Sequence, residues 1–251
     1  MQTTTRREFA RQSLGTLLAF SLIETLVQCD ALAANVKPDV ADWLKQVNQL
    51  GLDLKDRKLK QIEWQAKIEE LYGRVELQEL LTLVDFAQLA KGVKLLDKGA
   101  ASLRFSFATP DGQPGSLSFG KQIFALGKDR SVVPHGHNNM ATAFLILKGN
   151  FHGRHYDRVA DEAEHYLIKP TIDREFGPGG CSTVSDFKDN IHWFKALDEP
   201  AFIFNIHVLH EEGKSDKSTG RVYLDPAGES VSGGLIRAPK ITYKQSVERY
   251  G

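Results

Sequence analysis

The chain has 251 residues, of which 41% are hydrophobic and 25% charged, so it can bury one substantial core as an ordinary globular protein does. Lysine plus arginine and aspartate plus glutamate both number 32, and the formal net charge is therefore zero. This balance argues against a nucleic-acid partner, which usually goes with a basic excess. No apolar run approaches the roughly 18 residues of a membrane span. The two cysteines, Cys29 and Cys181, form no CxxC pair, so a metal would have to rest on histidines and carboxylates.

The first 34 residues have the features of an export signal. Arg6 and Arg7 precede Phe9, an apolar stretch follows over residues 14–23, and Ala31-Leu32-Ala33 is a small-x-small cleavage signature. The pattern resembles a twin-arginine signal. It implies export of the folded protein by the twin-arginine machinery, removal of the signal, and a mature protein that works in the periplasm. An ordinary amphipathic first helix is the alternative.

Residues 35–100 have the apolar spacing of helices, and we expect them to form a helical layer against the rest of the chain. Asp39 is a plausible N-cap. Gly51, Gly73 and Gly92 are expected to interrupt or end the helices. The three apolar stripes are Val40, Leu44, Val47 and Leu50, then Trp64, Ile68, Leu71, Tyr72 and Val75, then Leu77, Leu80, Leu81, Val84 and Ala87.

Residues 101–251 consist of short β-prone runs that alternate with turn residues. Many short strands with regular turns are typical of a sandwich or barrel such as a jelly roll. The predicted fold is therefore mostly β, a barrel domain with an N-terminal helical layer. The predicted strands are Leu103–Phe107, Leu117–Leu126, Ala143–Leu147, Ile191–Phe194, Ala201–Leu209, Arg221–Leu224 and Gly234–Ile236.

His135 and His137 are two residues apart in a β-prone segment. Side chains at i and i+2 of a strand point to the same face, so two imidazole nitrogens can converge on one metal. An HxH pair is weak evidence by itself, because it can also be a polar strand end. The pair is followed by an apolar strand, Ala143–Leu147, and a turn at Gly149-Asn150. This order resembles the first motif of the cupins, a superfamily of jelly-roll β-barrels.

Many cupins carry a glutamate ligand five residues after the second histidine, where this chain has Thr142, a poor ligand for a divalent metal. His192, in the segment Ile191-His192-Trp193-Phe194, supplies the third ligand in this interpretation. Over residues 100 to 210, these blocks resemble the cysteine dioxygenase (thiol dioxygenase) family. The resemblance implies a non-haem Fe(II) held by His135, His137 and His192, with a small thiol and O2 as substrates.

The chain departs from this family around the substrate. Members that have a cysteine at the position of Thr142 cross-link it to a tyrosine, which this chain cannot do. Arg104 is the nearest candidate for the family's carboxylate-binding arginine, but its strand register is offset. His207 matches the relay histidine of the family, although Asn205 and Leu209 stand in the flanking positions. The resemblance thus implies His207 and Arg104 as substrate contacts, while the departures put cysteine as the substrate in doubt.

Two other hypotheses stay open. One is a metal-binding cupin without oxygenase activity, either isomerase-like or a sensor of a small ligand. The other is a periplasmic binding or structural module in which the histidines are incidental. Asp186 and Asp189 are candidate hydrogen-bond acceptors for the ligand imidazoles. Surface or loop positions are expected for His152 and His155, and Cys181 is assigned no role.

Overall fold

The computed structural model describes residues 40–107, 116–209 and 218–251, all within one compact unit, Asp39–Gly251. The predicted export signal and the predicted N-cap Asp39 lie outside the described residues. Within the described ranges, no helix combines the length and the apolar character that crossing a membrane requires.

Four helices come first: α1 (Val40–Lys55), α2 (Gln61–Arg74), α3 (Leu77–Leu83) and α4 (Phe86–Lys91). Each of the first three buries one face, as the apolar stripes predict. The expectation that glycines interrupt or end the helices is wrong for Gly51, which lies inside α1. Gly73 lies in the last turn of α2 and Gly92 caps the end of α4, as expected. Gly51 is buried, and a Cβ there would collide with the Ser118 side chain, so this glycine allows the close approach of α1.

The described residues after the helices form twelve strands in two antiparallel sheets, followed by a C-terminal helix, α5 (Tyr243–Tyr250). A short 3₁₀ helix, Ser232–Gly234, lies between the last two strands. The strands are β1 (Ala101–Leu103), β2 (Gly120–Leu126), β3 (Ser131–Asn138), β4 (Met140–Lys148), β5 (Phe151–Asp161), β6 (His165–Phe176), β7 (Cys181–Val184), β8 (Ile191–Ala196), β9 (Ala201–Leu209), β10 (Gly220–Leu224), β11 (Glu229–Val231) and β12 (Leu235–Ile241).

The strand pairing defines a jelly roll. The antiparallel pairs are nested, with β5–β6 innermost, then β4–β7, β3–β8 and finally β2–β9. As a result, β2-β9-β4-β7 lie side by side in one sheet and β3-β8-β5-β6 in the other. This folding-over of one long hairpin is the jelly-roll arrangement. β1 extends the first sheet, and β10, β12 and β11 extend the second. The predicted fold class is confirmed.

The first sheet is buried on both faces. Its outer face shares a hydrophobic core with the helices, in which Trp43, Tyr72 and Phe204 pack with ring centroids 5.5–6.4 Å apart. Its inner face contributes Phe144 and Ile203 to a second core between the sheets. The second sheet contributes Val132 and Phe194 to this second core. The helical layer therefore covers the outer face of the first sheet.

Candidate metal centre

His135 and His137 lie on β3, and His192 lies on the neighbouring strand β8, directly opposite His135. All three are buried, with at most 3% of the residue surface exposed. The ring centroids are 4.2 Å apart for His135 and His192, 4.9 Å for His135 and His137, and 5.1 Å for His137 and His192. One nitrogen from each ring lies within 4.8 Å of the other two. The structure therefore brings the three predicted ligands together at one place inside the barrel.

Backbone carbonyls orient two of the three rings. The Nδ1 of His135 lies 2.8 Å from the carbonyl oxygen of Val133. In the tautomer that donates this hydrogen bond from Nδ1–H, the electron pair of Nε2 is free to bind a metal. The Nδ1 of His192 lies 3.4 Å from the carbonyl oxygen of Asn190. The Asn190 side chain also donates to the carbonyl of His137, which fixes the end of β3. These contacts replace the carboxylate partners that the sequence suggested.

Asp186 and Asp189 do not contact the ligand rings through any described hydrogen bond. Asp186 accepts hydrogen bonds from the backbone N–H of Asn139 and the side chain of Gln61, and so ties the β7–β8 loop to α2. Asp189 accepts a hydrogen bond from Thr171. Both carboxylates follow the end of β7 and are turned toward neighbouring loops and strands, which explains why closeness in sequence to His192 was misleading.

The three candidate ligands are electrically neutral. Burial is the main reason that the pKa of His135 falls to about 3, and the Arg221 guanidinium lowers it further. Burial, followed by the charge of neighbouring imidazoles, holds the pKa values of His137 and His192 well below the usual range. Neutral imidazoles carry the free electron pair that a metal ligand needs.

Several ring nitrogens of the cluster fit a metal because they have no partner among the described residues. Both ring nitrogens of His137 and the Nε2 of His192 are buried without a hydrogen bond among the described residues. A buried polar atom left unsatisfied costs roughly 1–3 kcal/mol. A divalent first-row cation would give at least one nitrogen of each ring a partner, and imidazole suits iron, zinc, copper and nickel.

The histidines line a cavity of about 60 Å³, and the first sheet forms its opposite wall. Thr142 on β4 and His207 on β9 are cross-strand neighbours in that wall. The buried Oγ1 of Thr142 has no hydrogen-bond partner among the described residues. His207 is half-buried, and its ring fills the space where Gly120 has no Cβ. Burial, and to a lesser degree Arg221, lowers the pKa of His207.

The cavity contains an arginine that the sequence analysis did not identify. Arg221 on β10 lies opposite His137 in the sheet and lines the cavity while its side chain reaches solvent at the mouth. Arg104, the arginine proposed from the sequence, is exposed after the end of β1 and is not among the residues that line the cavity. The alternation Arg221-Val222-Tyr223 in a predicted strand was the one sequence feature that could have pointed to Arg221. It gave no indication that β10 pairs with β3.

A fourth histidine lies behind the cluster, and the expectation that it is a surface residue is wrong. His155 on β5 is fully buried, directly opposite His192 on β8, with ring centroids 6.1 Å apart. Its Nδ1 has no hydrogen-bond partner among the described residues, and burial lowers its pKa to about 3. His152, by contrast, is partly exposed and pairs with Asp173.

Cys181 lies away from the cavity. It is half-buried on β7, packs against the core that the first sheet shares with the helices, and has its pKa raised mainly by burial. This thiol is a small hydrophobic group in the helix–sheet interface.

The nested strand order and the three inward-facing histidines on β3 and β8 define a cupin-type jelly roll with a candidate metal site. No protein-family model matches the chain, and no curated protein matches it. The fold and site assignments therefore rest on strand topology and side-chain geometry.

Several solved structures show weak, partial similarity. An 11S globulin from Wrightia tinctoria matches with a TM-score of 0.32 and 8% identity, over 42% of this chain and 22% of that one. KdgF from Halomonas sp. matches with a TM-score of 0.29 and 12% identity, over 38% and 71%. The vicilin from Solanum melongena matches with a TM-score of 0.33 and 9% identity, over 45% and 27%. The chain spans less than a quarter of the 11S globulins it matches. Similarity at this level carries no functional argument.

Proposed function

We propose that this protein is a non-haem Fe(II) dioxygenase of the thiol dioxygenase type, which oxidises a small thiol with O2 outside the cytoplasm. The observation that carries the proposal is the set of three buried, neutral imidazoles whose nitrogens converge in one cavity, two of them with nitrogens that lack a hydrogen-bond partner among the described residues. Three protein ligands on one side of a six-coordinate ion leave positions for two further reactants, as in facial-triad oxygenases.

The charge of the cavity favours an anionic substrate. The described residues that line it include Arg221 but no aspartate or glutamate. Three imidazoles also leave the full double positive charge of a divalent ion uncompensated. A thiolate or carboxylate therefore gains more from this site than a neutral or cationic ligand does.

The reaction balances without a further reductant. A thiol R–SH and O2 give a sulfinic acid R–SO2H, in which both oxygen atoms are bound to sulfur, and the sulfur supplies the electrons that O2 takes up. When bound, a ferrous ion supplies the redox chemistry that joins the two reactants.

The residues of the chain have separate tasks in this reaction. His135, His137 and His192 would hold the ion. His207 lines the cavity, and burial lowers its pKa, which favours the neutral ring that a proton acceptor for the thiol needs. The free hydroxyl of Thr142 is positioned to hydrogen-bond the substrate, and Arg221 offers its guanidinium to an acidic group at the mouth.

Metal analysis together with oxygen uptake tests the proposal. Protein recovered from the periplasm is expected to contain about one iron per chain and to consume O2 with small thiols such as cysteine, cysteamine or 3-mercaptopropionate, forming the sulfinate. His137→Ala should abolish both iron content and oxygen uptake. His152→Ala, the same change at a partly exposed histidine outside the cavity, should affect neither.

The outcomes separate the rival functions. Zinc or nickel in place of iron, with no oxygen uptake, would contradict the oxygenase and favour the metal-binding cupin without redox chemistry. No metal at all, with His137→Ala indistinguishable from wild type, would contradict both. For the export step, replacing Arg6 and Arg7 by lysine should leave the protein in the cytoplasm; periplasmic recovery of that variant would contradict the twin-arginine route.

A further inference from the structure

A second cavity, also of about 60 Å³, lies beside the candidate metal cavity. The two cavities share Phe124, His135 and Arg221. The second cavity is lined by residues of β2, β3, β10 and the C-terminal helix α5, and by Gly99 and Ala100 before β1; His137 and His192 do not line it. Because Arg221 lines both cavities, a ligand held at Arg221 can extend from one into the other.

The walls of the second cavity are aromatic and aliphatic. Tyr223 on β10 and Tyr243 on α5 have ring centroids 5.2 Å apart, and Tyr223 lies 6.1 Å from the His135 ring. Val133 on β3 and Val247 on α5 complete the apolar lining. Tyr243 is 59% exposed, so it lies where the cavity meets solvent. This aromatic and aliphatic part of the lining suits an apolar or aromatic group, whereas Arg221 and Ser131 belong to the polar part of the same cavity.

Arg221 lines both cavities, and strand alternation places its side chain on the same face as that of Tyr223. Arg221 and Tyr223 are two residues apart on β10, so their side chains lie on the same face of the sheet. No aspartate or glutamate is among the described residues that line the second cavity. The combined site thus presents a metal-binding end, a cation in the middle and an aromatic end.

We propose that the second cavity is a subsite for the tail of the substrate. The substrate class is an acidic thiol with an apolar or aromatic group, whose acid binds Arg221, whose sulfur enters the histidine cavity and whose tail lies between Tyr223 and Tyr243. A cavity of this size takes a group of a few heavy atoms, such as a short alkyl chain or the edge of a phenyl ring. The assignment rests on the proposed function for the sulfur end, but the tail subsite can be tested without oxidation.

The test compares two carboxylates that lack a thiol, propionate and 3-phenylpropionate, by calorimetric titration of the full chain as purified. Both ligands present the same carboxylate to Arg221 or to a metal, so the difference between their affinities measures the contribution of the phenyl group that would occupy the tail subsite. Wild type is expected to bind 3-phenylpropionate at least tenfold more tightly than propionate. Val247→Trp, which fills the subsite from α5, should remove this preference without changing propionate binding.

Two further variants keep the result interpretable. Lys244→Ala changes an exposed residue of α5 that does not line the subsite, and it should behave as wild type. Tyr243→Ala removes a wall at the cavity mouth and should weaken 3-phenylpropionate binding severalfold, which provides a second probe if Val247→Trp does not fold.

Equal affinity for the two carboxylates in wild type, or a preference that survives both Val247→Trp and Tyr243→Ala, would overturn the tail subsite. Oxygen uptake with short thiols could still stand in that case. Conversely, a tail-dependent preference in a protein without iron or oxygen uptake would support the subsite and contradict the dioxygenase.

Discussion

The three candidate ligands come from two strands that are far apart in the chain, yet two of them could be recognised from their spacing. An HxH pair on a strand places both rings on one face, and β3 does so. His192 was identified through a family resemblance and lies in register with His135. The positions of Arg221 beside the cavity and of His155 behind the cluster were not foreseen, because each depends on which strands become neighbours. The pattern of residues within one short segment does not show which strands will lie side by side in the sheet.

The first prediction at the residue scale distinguishes a metal ligand, His192, from a neighbouring histidine that does not bind the metal, His155. His192→Leu and His155→Leu make the same change at adjacent positions of one cross-strand row, on β8 and β5. His192→Leu is expected to lose bound metal, since it removes one of three converging nitrogens. His155→Leu should keep metal content close to wild type, because His155 lies outside the group of nitrogens that converge.

Metal content per chain, measured by inductively coupled plasma mass spectrometry after matched purification, distinguishes the two variants. Loss of metal in both variants would mean that the site has four histidine ligands, and retention in both would mean that the metal, if any, is bound elsewhere.

At the scale of elements, strands with an apolar run were predictable and strands with mixed polarity were not. β9 has the predicted bounds, Ala201–Leu209, because both of its faces are buried. β5 and β6 were missed, although they lie inside the second sheet, because many of their positions are exposed and carry charged residues. The predicted strand Leu103–Phe107 is wrong in its bounds, because β1 is Ala101–Leu103 and ends where the predicted strand begins. Phe105 and Phe107 instead pack on Phe204 as part of a loop.

The helix–sheet contact yields a matched pair of glycine substitutions. Gly51→Ala in α1 should destabilise the protein by about 1–3 kcal/mol, because the added methyl group meets the Ser118 side chain. Gly73→Ala in α2 has open space around it and should stabilise by up to about 1 kcal/mol through helix propensity. Urea unfolding measures both changes. A neutral Gly51→Ala would contradict the close packing of α1 on Ser118, and a destabilising Gly73→Ala would contradict the open space around Gly73 in α2.

At the scale of the whole molecule, several neutral imidazoles are buried inside the barrel, and their burial makes the free energy of unfolding depend on pH. Burial lowers the pKa values of His135 and His155 to about 3, whereas an imidazole in the unfolded chain titrates near 6.5. Between these values the unfolded state binds more protons than the folded state, so folding stability falls as the pH decreases.

For the metal-free protein, each of these two histidines should cost about 2 kcal/mol of unfolding free energy between pH 7 and pH 5. Urea denaturation at the two pH values measures the loss, and His155→Leu should show a smaller loss than wild type by about one histidine's share. A stability that does not change between pH 7 and pH 5 would contradict the burial of neutral imidazoles.

The central claim is that nitrogens from His135, His137 and His192 bind one metal ion inside the jelly roll. Anomalous X-ray diffraction from crystals of the iron-reconstituted protein tests it most directly. The account predicts one strong anomalous peak per chain, about 2 Å from a ring nitrogen of each of the three histidines. A peak at any other place, or none beside these rings in iron-loaded crystals, would contradict it.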